Sequence, residues 1–190
     1  MRYGIPYKGS KSKIAEEIIK QLPAGNRLVD LFGGGFAITH CALVNGGGKW
    51  NKFMYNDINP LLQPLITDAI NGKYDSRTFQ PEWISRDDFY RLKETDGYVK
   101  WIWSFGNNGN DYLYGRKIED DKRKAHEFVV FGKTSDITEG IELSGSTIRE
   151  RRLQWQRITK SRLIHLERLQ HLEHLQHLTQ LESLQRLESL

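Results

Sequence analysis

The chain is poor in several things at once. It has one cysteine, Cys41, and two methionines in 190 residues. A lone thiol excludes an internal disulfide framework, so a reducing cytoplasm is the expected location. No apolar run approaches the length needed to cross a bilayer, and the N-terminus, "MRYGIPYKGSK", lacks the apolar segment of a secretory signal. No membrane partner is expected. Only five prolines occur, and none follows Pro81. Charge of one sign is scarce as well: the formal net charge is +4, a mild excess that permits an anionic partner without requiring one. With 27% charged and 38% hydrophobic residues, the composition suits a globular protein with one ordinary domain and some extra chain.

What is present begins with an amphipathic helix predicted over "KSKIAEEIIKQL", residues 11–22, where Ile14, Ile18, Ile19 and Leu22 share a face and Pro23 and Gly25 end the run. "NRLVDLF" reads as a short buried strand, the three glycines Gly33, Gly34 and Gly35 as a turn, and "AITHCALV" as a helix stopping at Asn45. "KFMYNDINP" supplies a second strand ending at Asp57, and "LLQPLITDAI" a helix whose start Pro64 limits. Strand, glycine turn, helix and strand form a βαβ unit, hence an α/β fold.

Residues 98–116, "YVKWIWSFGNNGNDYLYGR", crowd aromatic side chains among Gly and Asn and read as loop-rich. Basic residues then gather in "RKIEDDKRK" and in "RERRLQWQRITKSR". In the second of these, Arg149, Arg151, Arg152, Arg157, Lys160 and Arg162 face one acid, Glu150. From Leu163 to Leu190, leucine returns at every third position. On an α-helix that stripe winds round the axis by about 60° per leucine, so the repeat needs partners on several sides, and a helical form is favoured. The repeat stops mid-pattern, and the natural polypeptide is expected to continue. Three segments result: 1–75, 76–160 and 161–190.

Three consecutive glycines at a strand end need a return for their lost backbone entropy, and the expected one is a ligand that the backbone approaches closely. A carboxylate closing the next strand suits the two hydroxyls of a ribose. The alternative is that the glycines only turn the chain and Asp57 only caps the helix after it. Taken alone, the glycine motif leaves both open. His171, His174 and His177 follow the leucine spacing and are expected to be structural, with no metal. Cys41 and His40 are likewise expected to be structural.

"PYKGSK", "LVDLFGGG" and "YNDINP", in that order and spacing, resemble the N-terminal half of the Dam-like adenine-N6 DNA methyltransferases, especially phage-encoded members. The resemblance covers roughly residues 1–160 and implies a Rossmann-like S-adenosylmethionine-dependent sheet, incomplete here, with an inserted DNA-recognition region before the leucine repeat. It implies S-adenosylmethionine as cofactor and duplex DNA as partner. By position, Tyr7 and Lys11 would flank the cofactor's methionine end, Asp30, Phe32 and Gly33 to Gly35 its middle, and Asp57 its ribose. "WIWSFGNNGNDYLYG" looks like the segment introducing the DNA-recognition region. Arg116, Lys117, Lys122, Arg149, Arg151 and Arg152 are candidate phosphate contacts.

Two departures stand out. Phe36 occupies a position where the family usually has a further glycine. The Asp-Pro-Pro-Tyr motif, which sharpens the adenine amine and stacks on the flipped base, does not occur, since no proline follows Pro81. No catalytic residue is therefore assigned. The chain is expected to be inactive alone and to need a catalytic segment that it lacks; the alternative is a non-catalytic DNA- or protein-binding module derived from a methyltransferase.

Overall fold

The computed structural model describes residues 3–75 and 77–162. Two compact units divide the chain, residues 1–124 and 125–190. The leucine repeat, with the question of its conformation and of its three histidines, lies outside the described residues.

In the first unit, helix α1 (Ala15–Gln21) starts later than its apolar stripe suggests. Residues 11–14 form a turn closed by Ile14 N–H donating to Lys11 O (3.0 Å), and Ile14 stays exposed while Ala15 and Ile19 are buried. Glu16 and Glu17 in the first turn and Lys20 in the last suit the helix dipole. Its final carbonyls are covered by one ammonium: Lys49 Nζ donates to Ile19 O (3.0 Å), Lys20 O (3.3 Å) and Leu22 O (3.0 Å).

Strands β1 (Arg27–Asp30) and β2 (Lys52–Tyr55) pair in parallel, with Leu28 opposite Phe53 and Val29 opposite Met54. Helix α2 (Ala37–Asn45) joins them, ending at Gly46 as the sequence indicates. Leu28 and Phe53 point to one face of the sheet, into a core with Ala15, Ile19, Ala37, Cys41, Ala42 and Trp50. Val29 and Met54 point the other way and are each 46% exposed. The βαβ unit is thus present as a two-stranded parallel sheet; no third strand joins it among the described residues.

Helix α3 (Leu62–Ile70) carries Pro64 in its first turn, where the missing N–H has no intrahelical partner to lose. Leu62, Leu65 and Ile66 pack with Trp101 in a second core. Helices α4 (Arg86–Leu92) and α5 (Gly97–Ile102) are capped by Ser85, which accepts from Asp88 N–H (3.1 Å), and by Asp96, which accepts from Val99 N–H (3.1 Å). Here the reading of residues 98–116 as loop needs correction at its start, because the stretch through Ile102 is helical. Phe89, Val99, Trp103 and Tyr112 fill a third core. Trp83 stacks on Tyr114 at 5.3 Å, and Tyr112 OH donates to Ile84 O (2.6 Å).

Helix α6 (Glu119–Phe131) enters the second unit at Ala125. There Phe128, Val129 and Val130 are buried, and Ser135 and Thr138 form a capping box. Residues 148–162 form a further helix, α7. It starts at Thr147, whose Oγ1 accepts from Glu150 N–H (3.2 Å) while Glu150 Oε2 accepts from Thr147 N–H (3.1 Å). Trp155 packs edge-on to Phe128 at 5.8 Å.

Candidate functional site

The loops leaving β1 and β2 lie side by side at the C-terminal edge of the parallel pair, the edge where ligands bind in open α/β sheets. Asn56 stitches them together. Its N–H donates to Asp30 O (2.9 Å), its Nδ2 to Leu31 O (3.0 Å), and its carbonyl accepts from Gly33 N–H (3.0 Å).

Asp57 bridges the glycine turn and the chain leading to α3: Oδ2 accepts from Gly34 N–H (2.8 Å) and Oδ1 from Asn59 N–H (2.9 Å). Its carboxylate is half-buried. Asp30, also half-buried, points the other way, accepting from the buried Thr39 hydroxyl (2.8 Å) in the first turn of α2.

The three glycines have an intramolecular reason to lack side chains. A Cβ on Gly33 would lie 2.2 Å from Tyr55 Cε2, one on Gly34 3.2 Å from Tyr7 Cε1, and one on Gly35 2.7 Å from Tyr7 Cβ. Tyr55 is held there by its own hydroxyl, which donates to Gly34 O (2.6 Å). Burial pushes the pKa of both tyrosines up, with the Asp57 carboxylate adding to it. The close approach inferred from the glycine run is, in this structure, an approach by the protein's own rings.

Phe36 takes the left-handed backbone conformation (φ 68°, ψ 18°) that a glycine would adopt without strain. Its ring packs on the second core, 5.4 Å from the Tyr55 ring and 6.3 Å from the His40 ring.

The N-terminal segment is clamped to this turn. Ile5 N–H donates to Gly35 O (2.8 Å), and Gly4 N–H donates to His40 Nδ1 (2.9 Å). Only glycine fits at position 4, since a Cβ would fall 2.0 Å from Gly35 O. Farther along, the Tyr7 ring meets Trp101 at 4.7 Å, and Lys8 N–H donates to Asn107 O (3.1 Å). Tyr7, Gly33 to Gly35 and Asp57 therefore meet. Lys11 does not join them by any contact: it is exposed, and its Nζ donates to Gly9 O (3.0 Å).

A sequence model of the D12 class N6 adenine-specific DNA methyltransferases matches residues 7–140, a span that includes Tyr7, the glycine turn and Asp57. The chain belongs to that family. No curated protein and no solved structure matches it.

This D12-class chain exposes two large apolar side chains on the loops that carry the glycine turn and Asp57: Phe32, just before Gly33, at 90%, and Ile58, just after Asp57, at 95%. Folding gives neither a reason to be apolar. Ile58 escaped notice in the sequence because it belongs to no periodic pattern; its one signal is an isolated Ile directly after the strand-closing acid. Tyr55 and His40, which hold the turn, carry no sequence signal of that role.

The candidate DNA contacts separate. Arg116, Lys117 and Lys122 are exposed in the first unit, whereas Arg123 and Lys124 are paired with Asp120 (2.7 and 3.0 Å). In the second unit Arg149 and Arg152 are exposed, but Arg151 is half-buried and its Nε is sequestered without a hydrogen bond. Trp101, Trp103 and Tyr112 are core residues; Phe105, 67% exposed, is not. Cys41 is fully buried. Among the described residues no helix is long and apolar enough to cross a membrane, and no group of three or more His, Cys, Asp or Glu is arranged to hold a metal ion.

Proposed function

We propose that this chain supplies the cofactor-binding and DNA-recognition residues of an S-adenosylmethionine-dependent adenine-N6 DNA methyltransferase acting on duplex DNA. The support that carries the reading is the meeting of the three motif segments, at Tyr7, Gly33 to Gly35 and Asp57, on the ligand-binding edge of a parallel strand pair in a chain of that family.

The residues fit the nucleoside part of the cofactor. Each Asp57 oxygen accepts one N–H and keeps a lone pair for a ribose hydroxyl. Phe32 and Ile58 offer apolar surface to a purine ring, which would return solvent-exposed area to an apolar contact. Tyr7 and Lys11 would serve the methionine end, and Asp30 with the glycine turn the middle. When bound, S-adenosylmethionine supplies an electrophilic methyl group on a sulfonium centre. This chain's own part is to bind and orient it. The step that activates the adenine amine belongs to an Asp-Pro-Pro-Tyr motif, which these 190 residues do not contain. Arg116, Lys117, Lys122, Arg149 and Arg152 would meet phosphates.

Calorimetric titration with S-adenosylmethionine is the test. The wild-type chain is expected to bind it and Asp57→Ala to lose it. Because Asp57→Ala also strands the Gly34 and Asn59 amides, about 1–3 kcal/mol of stability should go with it, so thermal unfolding is followed in parallel. Methyl transfer to duplex DNA is expected only when a segment bearing Asp-Pro-Pro-Tyr is supplied. No binding by a folded wild-type chain would refute the proposal. Salt-dependent DNA binding without cofactor binding would favour the second reading, a non-catalytic module, which the tyrosine-covered glycines and the missing motif support.

A further inference from the structure

Helix α7 lies beyond residue 140, where the family-model match ends. Its inner side is settled by packing. Trp155 meets Phe128, Gln154 Oε1 accepts from Ser144 N–H (3.1 Å) and Gly145 N–H (3.2 Å), and Ile158 and Arg151 are half-buried.

The outer side carries a row of cations. Arg149, Arg152, Arg157 and Lys160 are all exposed, and at 100° per residue they fall within an arc of about 140° that they share with Gln156 and the exposed Leu153. Among the described residues none of the four makes an ion pair. The single acid of the helix, Glu150, has its Oε2 engaged at the helix start by Ser146 Oγ (2.8 Å) and Thr147 N–H (3.1 Å). The contrast within the same molecule is sharp: Arg123 and Lys124 on α6 share Asp120. Arg149 and Arg152, and again Arg157 and Lys160, are like charges three residues apart, and no acid of the described helix lies three or four residues from any of them.

From Arg149 to Lys160 is eleven steps of 1.5 Å rise, so the four cations span about 16 Å at a mean spacing of about 5.5 Å, fewer than the phosphates along an equal length of one strand. A single strand of duplex DNA carries about one phosphate per 3.4 Å of axis. We propose that the solvent face of α7 is a phosphate-tracking surface for duplex DNA, formed by Arg149, Arg152, Arg157 and Lys160, with Arg151 held out of it. The choice of DNA as partner rests on the function proposed above; the unpaired stripe itself does not.

The experiment is binding of a fluorescently labelled duplex to the whole chain across a salt series of about 50–200 mM. The variant R149Q/R152Q/R157Q/K160Q is expected to lower the slope of log affinity against log salt by about 3–4, at about 0.9 for each phosphate no longer neutralised. Helical circular dichroism and thermal unfolding should not worsen, since only repulsion is removed. The charge-preserving R149K/R152K/R157K should keep the slope, and K20Q/K52Q, which removes exposed lysines elsewhere, should leave it unchanged. An unaltered slope in a folded quadruple variant, or equal binding of the wild-type chain to polyglutamate, overturns the inference. S-adenosylmethionine titration separates the two failures: cofactor binding with an unaltered slope sinks only the stripe, and a lowered slope without cofactor binding sinks only the methyltransferase reading.

Discussion

Gly33→Ala is the substitution that most directly asks why the turn is made of glycine. The backbone at Gly33 is not in the left-handed region, so alanine meets no torsional penalty there. What it meets is Tyr55: the new methyl would sit 2.2 Å from Cε2 and 2.4 Å from Cδ2, against an ordinary carbon contact of about 3.5–4.0 Å. The ring has to retreat by more than about 1 Å. It is poorly placed to do so, because β2 fixes its backbone, Phe36 lies edge-on at 5.4 Å and its hydroxyl is bonded to Gly34 O at 2.6 Å. Overpacking of this kind costs about 1–3 kcal/mol. Weakening the hydroxyl bond adds about 0.5–1.5 kcal/mol. Against this, alanine reduces the freedom of the unfolded chain by about 0.4–1 kcal/mol. A net loss of about 1–3 kcal/mol remains. The assay is urea unfolding followed by tryptophan fluorescence, for Gly33→Ala, Tyr55→Ala and the pair. In the Tyr55→Ala background, Gly33→Ala should be neutral or slightly stabilising, giving a coupling of about 1–4 kcal/mol. Equal cost in both backgrounds, or no cost in either, would refute the claim that Tyr55 dictates the glycine. A Gly33→Ala protein of unchanged stability that no longer binds S-adenosylmethionine would show that only a ligand needs it.

Two further outcomes follow from the contacts. The Tyr3 hydroxyl donates to Glu16 Oε1 (2.5 Å), accepts from Asn45 Nδ2 (2.5 Å) and has its pKa pushed up from 10.0 to about 12, chiefly by the Glu16 bond with burial adding. The neutral phenol is the donor, so its contribution is complete below about pH 10 and fades as pH rises through about 12; the stability difference between wild type and Tyr3→Phe should shrink across that interval, and a difference independent of pH would disprove it. Arg86 lies 4.8 Å above the Tyr112 ring, donates twice to Glu119 Oε2 (3.1 and 2.8 Å) and once to Tyr114 O (2.6 Å). Arg86→Met is expected to lose about 1–3 kcal/mol in urea unfolding, with Arg86→Lys recovering only part because an ammonium cannot reproduce the fork; a loss under about 0.5 kcal/mol would show the ion pair to be ornamental.

Local chemistry accounts for much of what was legible beforehand. The run from Ala37 to Asn45 ended where Gly46 follows, and the two strands stood out as apolar segments bounded by glycine and Asp-Ile-Asn-Pro. Helix α5 was hidden because its aromatic crowding resembles a loop, and helicity there depends on the Asp96 cap and on packing of Val99 and Trp101 into two cores. Ile14 matched the stripe of α1 yet lies before the helix, exposed.

Order and spacing of "PYKGSK", "LVDLFGGG" and "YNDINP" carried the family, and the missing prolines carried the missing catalytic motif, because both are properties of the chain as a string. Which atoms fill the space around the glycines is not such a property. It took the folded chain to put Tyr7 and Tyr55 on that turn, to turn Phe36 into a core instead of into a cleft, to engage Asp57 with Gly34 and Asn59, and to separate Arg151 from its exposed neighbours. Close approach is pairwise and long-range in sequence, so only tertiary packing, which brings residues 4, 7, 35, 55 and 57 within contact, could decide it.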